Sequence, residues 1–553
     1  MVVATAVTAT LAIGALAAPP ATAQTYYVPV DEQLVVTGHG YGHGRGMSQH
    51  GAHGAALQGK GYRKILGFYY PGTSFEQVQG QVRVLISADV SSDLQVSPRA
   101  GLRVRDLGDG SAWTLPVRAG ITRWRIRPQP DVVQYLESGR WHTWTSPSGR
   151  TLLRGDGEFA ARGPIRLWTS DTVSRAYRGR LRAATPYPGA TVRDTVNVLS
   201  MDRYVRGVVP YEMPASWAAE ALKSQAVAAR TYATYQRSLN LDRYYQICDT
   251  TACQVYGGVA AETPTTNSAV AGTARQVLVY GGRPALTQFS SSSGGFTASG
   301  GLPYLPAQRD PWDDWSGNTV HDWQLRIDAG RLEQLYPRLG NLVAVRVTRR
   351  TGDGQWHGRA LQVVLDGTDA DVEMSGDDFR WTVGLRSTWF TIERTPIMER
   401  WASLGGRGSV LGRPISGEYA VTGGATQRFE HGRIFWTGRI GAREVYGPIL
   451  RRYRGLGGVE SGLGYPRSGV RQVATEVLRV VFERGHIYTS PDAGAHPVRG
   501  GFLRAYLGAG GAAGRLGPPV SDVRRVEGGR QQDFRHGRIR YVRATDTFTV
   551  HYG

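Results

Sequence analysis

The C-terminal end of the chain repeats itself. Leu411-Gly412-Arg413-Pro414 returns as Leu463-Gly464-Tyr465-Pro466 and as Leu516-Gly517-Pro518-Pro519, 52 and then 53 residues on. A second motif keeps the same step: Phe429-Glu430-His431-Gly432, Phe482-Glu483-Arg484-Gly485 and Phe534-Arg535-His536-Gly537. The turns Gly441-Ala442 and Gly494-Ala495 also recur. Two motifs held in register across three copies restrict the fold severely. Each unit offers a turn, a loop and short strands, too little to close a core alone, so residues 396–553 must pack as an array of small β/turn units. Such an array, without clusters of titratable groups, reads as a binding surface rather than a catalyst.

The 553 residues leave room for further folded units ahead of the array. With 73 Gly and 28 Pro, strands and turns are favoured over long helices. From 81 to 200, Val82, Val84, Ile86, Leu102, Val104, Leu115, Val117, Trp124 and Ile126 alternate with polar or Arg positions, the period of half-buried strands. Asp106-Leu107-Gly108-Asp109-Gly110 reads as a hairpin turn between two of them. One amphipathic helix stands out, started by Pro214-Ala215-Ser216-Trp217 and continued from Ala218 to Arg237, with Ser216 as a candidate cap. Its face of Ala221, Leu222, Ala226, Ala229 and Ala233 is narrow and small. Gln225 on that face and Arg230 at its edge must find polar partners if buried. The fold class expected is α+β: a β-rich body with one central amphipathic helix, then the C-terminal array.

Residues 3–18 are apolar and small, and Ala21-Thr22-Ala23 sets small residues before Gln24, so 1–23 reads as a signal peptide although no basic residue precedes the apolar run. Pro19-Pro20 and the shortness of the run argue against a membrane anchor. Export permits a disulfide between Cys248 and Cys253, the two cysteines of the chain. The same C-x4-C spacing could offer two thiolates to zinc, but the flanking residues add no His. The formal charge of +20 suits a polyanion partner, yet Lys occurs only at Lys60, Lys64 and Lys223 and Arg is scattered. That is a solvated surface with a weak attraction to an anionic wall, not a nucleic-acid site.

Chemistry has three candidate stretches. Glu212 is a lone carboxylate among Val, Pro, Tyr and Met just ahead of the helix; burial would raise its pKa towards a general acid, and the helix N-terminus would lower it. The stretch from Gly38 to Gly51 alternates Gly with His39, His43 and Arg45, a backbone that can approach a ligand closely. Its histidines, with His50 and His53, lack a zincin pattern, and a Gly-rich loop is a poor frame for zinc, so neither metal nor cofactor is expected. The loop Ser290 to Gly295 has no nucleophile elbow and reads as a hydrogen-bonding loop.

These stretches together resemble the SpoIID/LytB family, stage II sporulation protein D and its amidase-enhancer relatives. The resemblance rests on Tyr204-Val205-Arg206-Gly207-Val208-Val209-Pro210-Tyr211-Glu212-Met213-Pro214, on Glu220 to Tyr232, on Cys248 to Tyr256, on Ser291 to Gly295, on Gly384-Leu385-Arg386-Ser387-Thr388-Trp389-Phe390, and on Gly42-His43-Gly44-Arg45-Gly46-Met47-Ser48-Gln49 with Ile65 to Thr73 after it. It spans about 38–392. In the family's usual order the His-Gly-Met-Ser-Gln segment follows the Trp-Phe strand. Here residues 34–75 precede the main body, 81–392, so a circular permutation is expected, with 34–75 docked beside 380–392. The C-terminal units resemble LGFP repeats of secreted, wall-associated bacterial proteins, which implies a cell-envelope ligand and a secreted, wall-associated location. The resemblance implies a lytic transglycosylase acting on peptidoglycan glycan strands, with Glu212 as the catalytic acid/base and His43, Gln49, Gln225, Arg230, Ser292 and Ser293 positioning sugar. The amidase-enhancer branch implies the alternative, a non-catalytic activator of a wall amidase; a wall-binding scaffold is the third reading.

Overall fold

The computed structural model describes residues 24–553; the expected signal peptide, 1–23, lies outside them. The chain is α+β. A seven-stranded sheet runs in the order Ile247–Cys248, Gln81–Leu85, Asp194–Ser200, Arg180–Ala184, Gly157–Ala160, Arg103–Asp106, Ala112–Thr114. A six-stranded sheet runs Arg140–Thr143, Val132–Glu137, Ile121–Arg127, Leu94–Val96, Ile165–Trp168, Ser174–Tyr177. Both bury the apolar half of their alternation in one core, including Val82, Val84, Ile86, Leu102, Val104, Leu115, Trp124 and Ile126. Val117 breaks the expectation and is 67% exposed. Its strand ends at Thr114, ahead of Pro116, which has no N–H to give a ladder.

Six helices lie on this body: α1 (Gln49–Leu57), α2 (Tyr62–Tyr69), α3 (Met201–Arg206), α4 (Val209–Glu212), α5 (Ala219–Leu239) and α6 (Pro264–Gly272). The 21-residue α5 is the hub, touching the other five. Ala221, Ala226, Ala229 and Ala233 are fully buried, and their small side chains let α1 come close through Ala52 and Ala55. Ser216 does not cap α5. The helix begins at Ala219, and the N–H of Ala218 donates to His53 Nδ1 at 3.2 Å, so a side chain from α1 takes the orphan donor.

The N-terminal segment is built into the far end of the chain. Strand Gln33–His39 lies between Asp322–Asp328 and Phe390–Ile392, with Val36 opposite Ile392 and Gly38 opposite Phe390. Strand Gln24–Tyr27 pairs with Leu342–Arg350. Leu34, Val36, Ile327, Phe379, Phe390 and Ile392 close a second core there. Residues 34–75 and 380–392 are hydrogen-bonded neighbours, the arrangement that a permuted order requires.

Beyond Ile392 come three four-stranded antiparallel sheets, Pro414–Tyr446, Arg471–Val498 and Arg524–Tyr552. A helix precedes each: Pro396–Ser403, Gly447–Gly455 and Gly500–Gly508. The repeated motifs now have a physical cause. Leu411, Leu463 and Leu516 are fully buried, and each lies against the glycine of the second motif. A side chain at Gly432, Gly485 or Gly537 would stand 2.4, 2.7 or 2.9 Å from that leucine. Trp401, Tyr453 and Tyr506 donate to the carbonyls of Gly412, Gly464 and Gly517 at 2.9, 2.7 and 2.8 Å. The units share cores with their neighbours: Phe435 and Val445 of the first pack with Tyr453, Leu463, Val480 and Phe482 of the second. Leu463→Ala is expected to cost about 2–5 kcal/mol, as a cavity at a shared core does. Denaturant unfolding of the full chain measures it, and an unchanged transition of the array would contradict the packing described.

Candidate functional site

Glu212 closes the one-turn helix α4, and Met213 turns the chain to an extended conformation before α5 begins. Its chain neighbours Val205, Val208, Val209 and Met213 are buried. Gln49, the first residue of α1, donates through Nε2 to Glu212 Oε2 at 3.2 Å. Ser48 caps α1, its hydroxyl accepting from the N–H of Gly51 at 2.9 Å, and so fixes where Gln49 points. Burial lifts the Glu212 pKa from 4.5 to about 7, against the smaller opposite pull of Gln49.

The carboxyl opens into a cleft of about 580 Å³ and, among the described residues, is the only carboxylate on its walls. Tyr41 and His43 form one side, Ser290 and Ser291 another, and Cys253 and Gln254 a third. Trp381, 71% exposed, stands at the cleft with the Arg380 guanidinium 4.5 Å over its ring. His43 is lowered to about 4, by burial first and then by Arg45, Arg359 and Arg380, so at neutral pH it is an uncharged hydrogen-bonding group.

The sequence-expected residues divide. Glu212 and His43 line the cleft, and Gln49 holds Glu212. Arg230 does not reach it. It is fully buried, pairs with Asp202 at 2.8 Å, and donates to the carbonyls of Ala226, Val270 and Gln276, so it ties α5 to α6 and its neighbours. Gln225 is fully buried on α5, with neither amide atom partnered within the protein, and is not on the cleft wall. Ser292 and Ser293 are also buried. Their hydroxyls donate to Asp313 at 2.7 Å and Asp310 at 2.9 Å, which leaves Ser290 and Ser291 as the cleft-facing members of that loop. The alternating glycines make room for the protein's own close packing, Gly42 against Ser290 and Gly44 against Arg359, and Gly42 also lines the cleft. The Gly-rich segment runs against the Ser-rich loop, with Met47–Ser48 pairing with Phe289–Ser290. Gly46, at φ 67°, leaves a gap of 2.0 Å between the site of a Cβ and the Gln288 carbonyl.

Sequence reasoning missed the group that joins these two loops. Asp313 is fully buried and accepts from the hydroxyls of Ser48 and Ser292, from the N–H groups of Ser293 and Gly294, and from Asn318 and His321. Burial alone would raise its pKa, but these donors prevail and hold it at about 2. Its hydrogen bond raises His321. Asp310 is pushed up to about 6, by burial and by the charge of Asp313. Arg359, buried, bridges the same loops through the carbonyls of Gly42 and Ser293. The signal in the sequence was the acid and tryptophan cluster Asp310-Pro311-Trp312-Asp313-Asp314-Trp315, which has no strand or helix period.

Cys248 and Cys253 are joined as a disulfide, which takes both thiolates out of reach of a metal. His39 is engaged by Asp322 and Gln355, and His53 stacks on Trp217 at 4.6 Å. Among the described residues no three His, Cys, Asp or Glu side chains converge as a metal set.

The family model of SpoIID, stage II sporulation protein, matches residues 190–280, from α3 through Glu212 and α5 to the disulfide loop and α6; that of the LGFP repeat matches 411–461 and 463–514. The chain carries a SpoIID domain and LGFP repeats. It is similar to the amidase enhancer of Bacillus subtilis (strain 168), 40% identical over 139 residues, 24% of this chain and 19% of that one. It is similar also to stage II sporulation protein D of the same organism, 30% identical over 226 residues, and to that of Bacillus amyloliquefaciens, 28% over 225; each alignment covers 37% of this chain and 63% of the relative. The chain thus spans less than two thirds of each of these relatives. The SpoIID match supplies Glu212 and the Cys253–Gln254 side of the cleft; the Gly-rich and Ser-rich loops that wall it lie outside 190–280.

Removing the Asp313 charge should loosen both walls. Asp313→Asn is expected to cost about 3–5 kcal/mol near neutral pH, the range for breaking a buried charged network. Because Asp313 is held below its ordinary 3.8, the stability it lends is complete above that value and lost as pH falls towards about 2. Urea unfolding from pH 7 to pH 3 should therefore show the gap between wild type and Asp313→Asn shrinking in acid; a constant gap would contradict the network.

Proposed function

We propose that this protein is an exported, wall-associated lytic transglycosylase that cleaves peptidoglycan glycan strands between MurNAc and GlcNAc, with Glu212 as its single acid/base. The observation that carries this reading is the lone Glu212 carboxyl, raised to about 7 and alone among carboxylates on the cleft wall. A glycoside hydrolase as a rule needs two carboxylates, the second to activate water or attack the sugar. A lytic transglycosylase needs one. Protonated Glu212 gives its proton to the glycosidic oxygen, and the bond from that oxygen to MurNAc C1 breaks. The resulting carboxylate takes the proton of the MurNAc C6 hydroxyl as that oxygen bonds to C1. The products are a GlcNAc 4-hydroxyl and a 1,6-anhydro-MurNAc end, with no water consumed and Glu212 protonated again. The nucleophile belongs to the same sugar, so attack gains from proximity. Gln49 fixes the carboxyl, neutral His43 with Ser290 and Ser291 offers hydrogen bonds to sugar hydroxyls, and Trp381 offers a flat face for a sugar ring.

The likeness to an amidase enhancer favours a second reading, in which the domain binds glycan and stimulates a separate wall amidase. One experiment separates the two. Purified glycan strands, with and without stem peptides, are incubated with residues 24–553 and with Glu212→Gln, and the products are analysed by mass spectrometry. Anhydro-muramic ends from wild type, reduced by at least about 100-fold in Glu212→Gln, are expected for loss of a general acid. The wild-type rate should decline as pH rises past about 7 and Glu212 loses its proton. Release of no glycan by either protein, with a rise in the activity of an added amidase, would move the assignment to the activator.

A further inference from the structure

One arginine-rich patch lies where the first unit meets the helix of the second. Arg428, Arg433, Arg451 and Arg454 converge on a groove of about 600 Å³ between the first four-stranded sheet and helix Gly447–Gly455, over an apolar floor that includes Ile415 and Leu450. At Arg433 and Arg454 it meets a second hollow of about 730 Å³, floored by Val421 and Phe435. The two lobes make one elongated trough at the junction of the first and second units.

The scaffold does not ask for these arginines. At the position of Arg428 the second and third copies carry Val481 and Asp533, and at that of Arg433 they carry His486 and Arg538. On the helices, Arg451 corresponds to Glu399 and Arg504, and Arg454 to Ala402 and Leu507. The same fold closes with apolar, acidic or small residues at three of the four places, so the cluster answers to something other than packing. Among the described residues none of the four guanidinium groups has an ion pair or a side-chain hydrogen bond, while elsewhere in the array Arg400 pairs with Glu444 and Arg524 with Asp533. Two carboxylates border the trough. Glu430 is held by the backbone N–H of Arg413 at 2.8 Å and Glu460 by the Thr422 hydroxyl at 2.9 Å, and together they leave an excess of positive charge. Arg433 is partly buried and is lowered by that burial and by Arg454 and Arg428 beside it, so an anion in the trough would relieve it.

We propose that this two-lobed trough binds an anionic polysaccharide, its acid groups taken by Arg428, Arg433, Arg451 and Arg454 and the C–H faces of its sugars laid on the apolar floor. Guanidinium forks pair with carboxylate and phosphate oxygens alike, so the shared chemistry is an acid group repeated along a sugar chain. The site lies on the array and owes nothing to Glu212, so it stands or falls apart from the cleft.

The test uses residues 24–553 with four probes: polygalacturonate, phosphorylated dextran, neutral dextran and duplex DNA. Arg428→Gln with Arg454→Gln removes two charges from the trough; Arg504→Gln with Arg525→Gln removes two exposed charges from the other units. Unchanged melting temperatures show that both variants fold. Binding of the anionic dextran or the polygalacturonate is expected to weaken by about tenfold or more in the trough variant and by less than about twofold in the control, since tenfold is the loss of a charge-assisted contact or two. Whichever of the two polymers binds more tightly names the acid group. Equal losses in both variants, equal binding of neutral dextran, or tighter binding of DNA than of either acidic polymer would overturn the proposal.

Discussion

Asp313 is the knot on which both walls of the cleft hang. Its two oxygens gather donors from Ser48, from the turn at Ser292–Gly294, from Asn318 and from His321. Ser48 is the residue before Gln49, so the same carboxylate that pins the Ser-rich loop also sets the start of α1 and the side chain that holds Glu212. An ionised carboxylate at full burial survives only because every donor is aimed at it. The N-terminal segment is thereby locked to residues 290–321 by polar contacts, as it is locked to Phe390–Ile392 by a strand ladder. The cleft is an assembly of parts that are distant in sequence, which is why the SpoIID match covers Glu212 and the Cys253–Gln254 side and not the Gly-rich and Ser-rich loops.

The chemistry of Glu212 follows from what that assembly leaves out. Among the described residues no second carboxylate lines the cleft, no arginine pairs with Glu212, and its one polar side-chain contact is the Gln49 amide. Desolvation is then the largest influence on the proton, and it favours the neutral acid. Arg380 stands on the cleft wall, and His43 is kept neutral by burial first and then by the charges of Arg45, Arg359 and Arg380. A site of this kind can lend a proton and take one back, and it is poorly suited to activating water with a second base.

Much of this was legible in the sequence, and what was not had a physical reason. The repeat motifs could be read because each leucine lies so close to its partner glycine that a Cβ there would clash, which restricts identity at both ends. The helix α5 could be read from its alanine face, and Glu212 from its apolar company. The roles of Arg230, Gln225, Ser292 and Ser293 could not, because a polar residue in an apolar run announces burial without saying towards what. Arg230 turned to Asp202 and to backbone carbonyls, and Ser292 to Asp313. The glycines of the His-rich segment permit close approach, and within the protein what approaches is Gln288 and the neighbouring serines, with Gly42 also on the cleft wall. Asp313 escaped notice because its segment has no period, and a buried ion is recognised only when its donors are known.

Burial, with no second carboxylate among the described residues of the cleft, keeps the Glu212 proton near neutrality. The most direct measurement is a titration of the Glu212 carboxyl by carbon-detected NMR of selectively labelled protein, assigned by comparison with Glu212→Gln. A midpoint near 7 is predicted. A midpoint at the ordinary glutamate value of 4.5 would leave the cleft without its proton donor at neutral pH and would contradict the account.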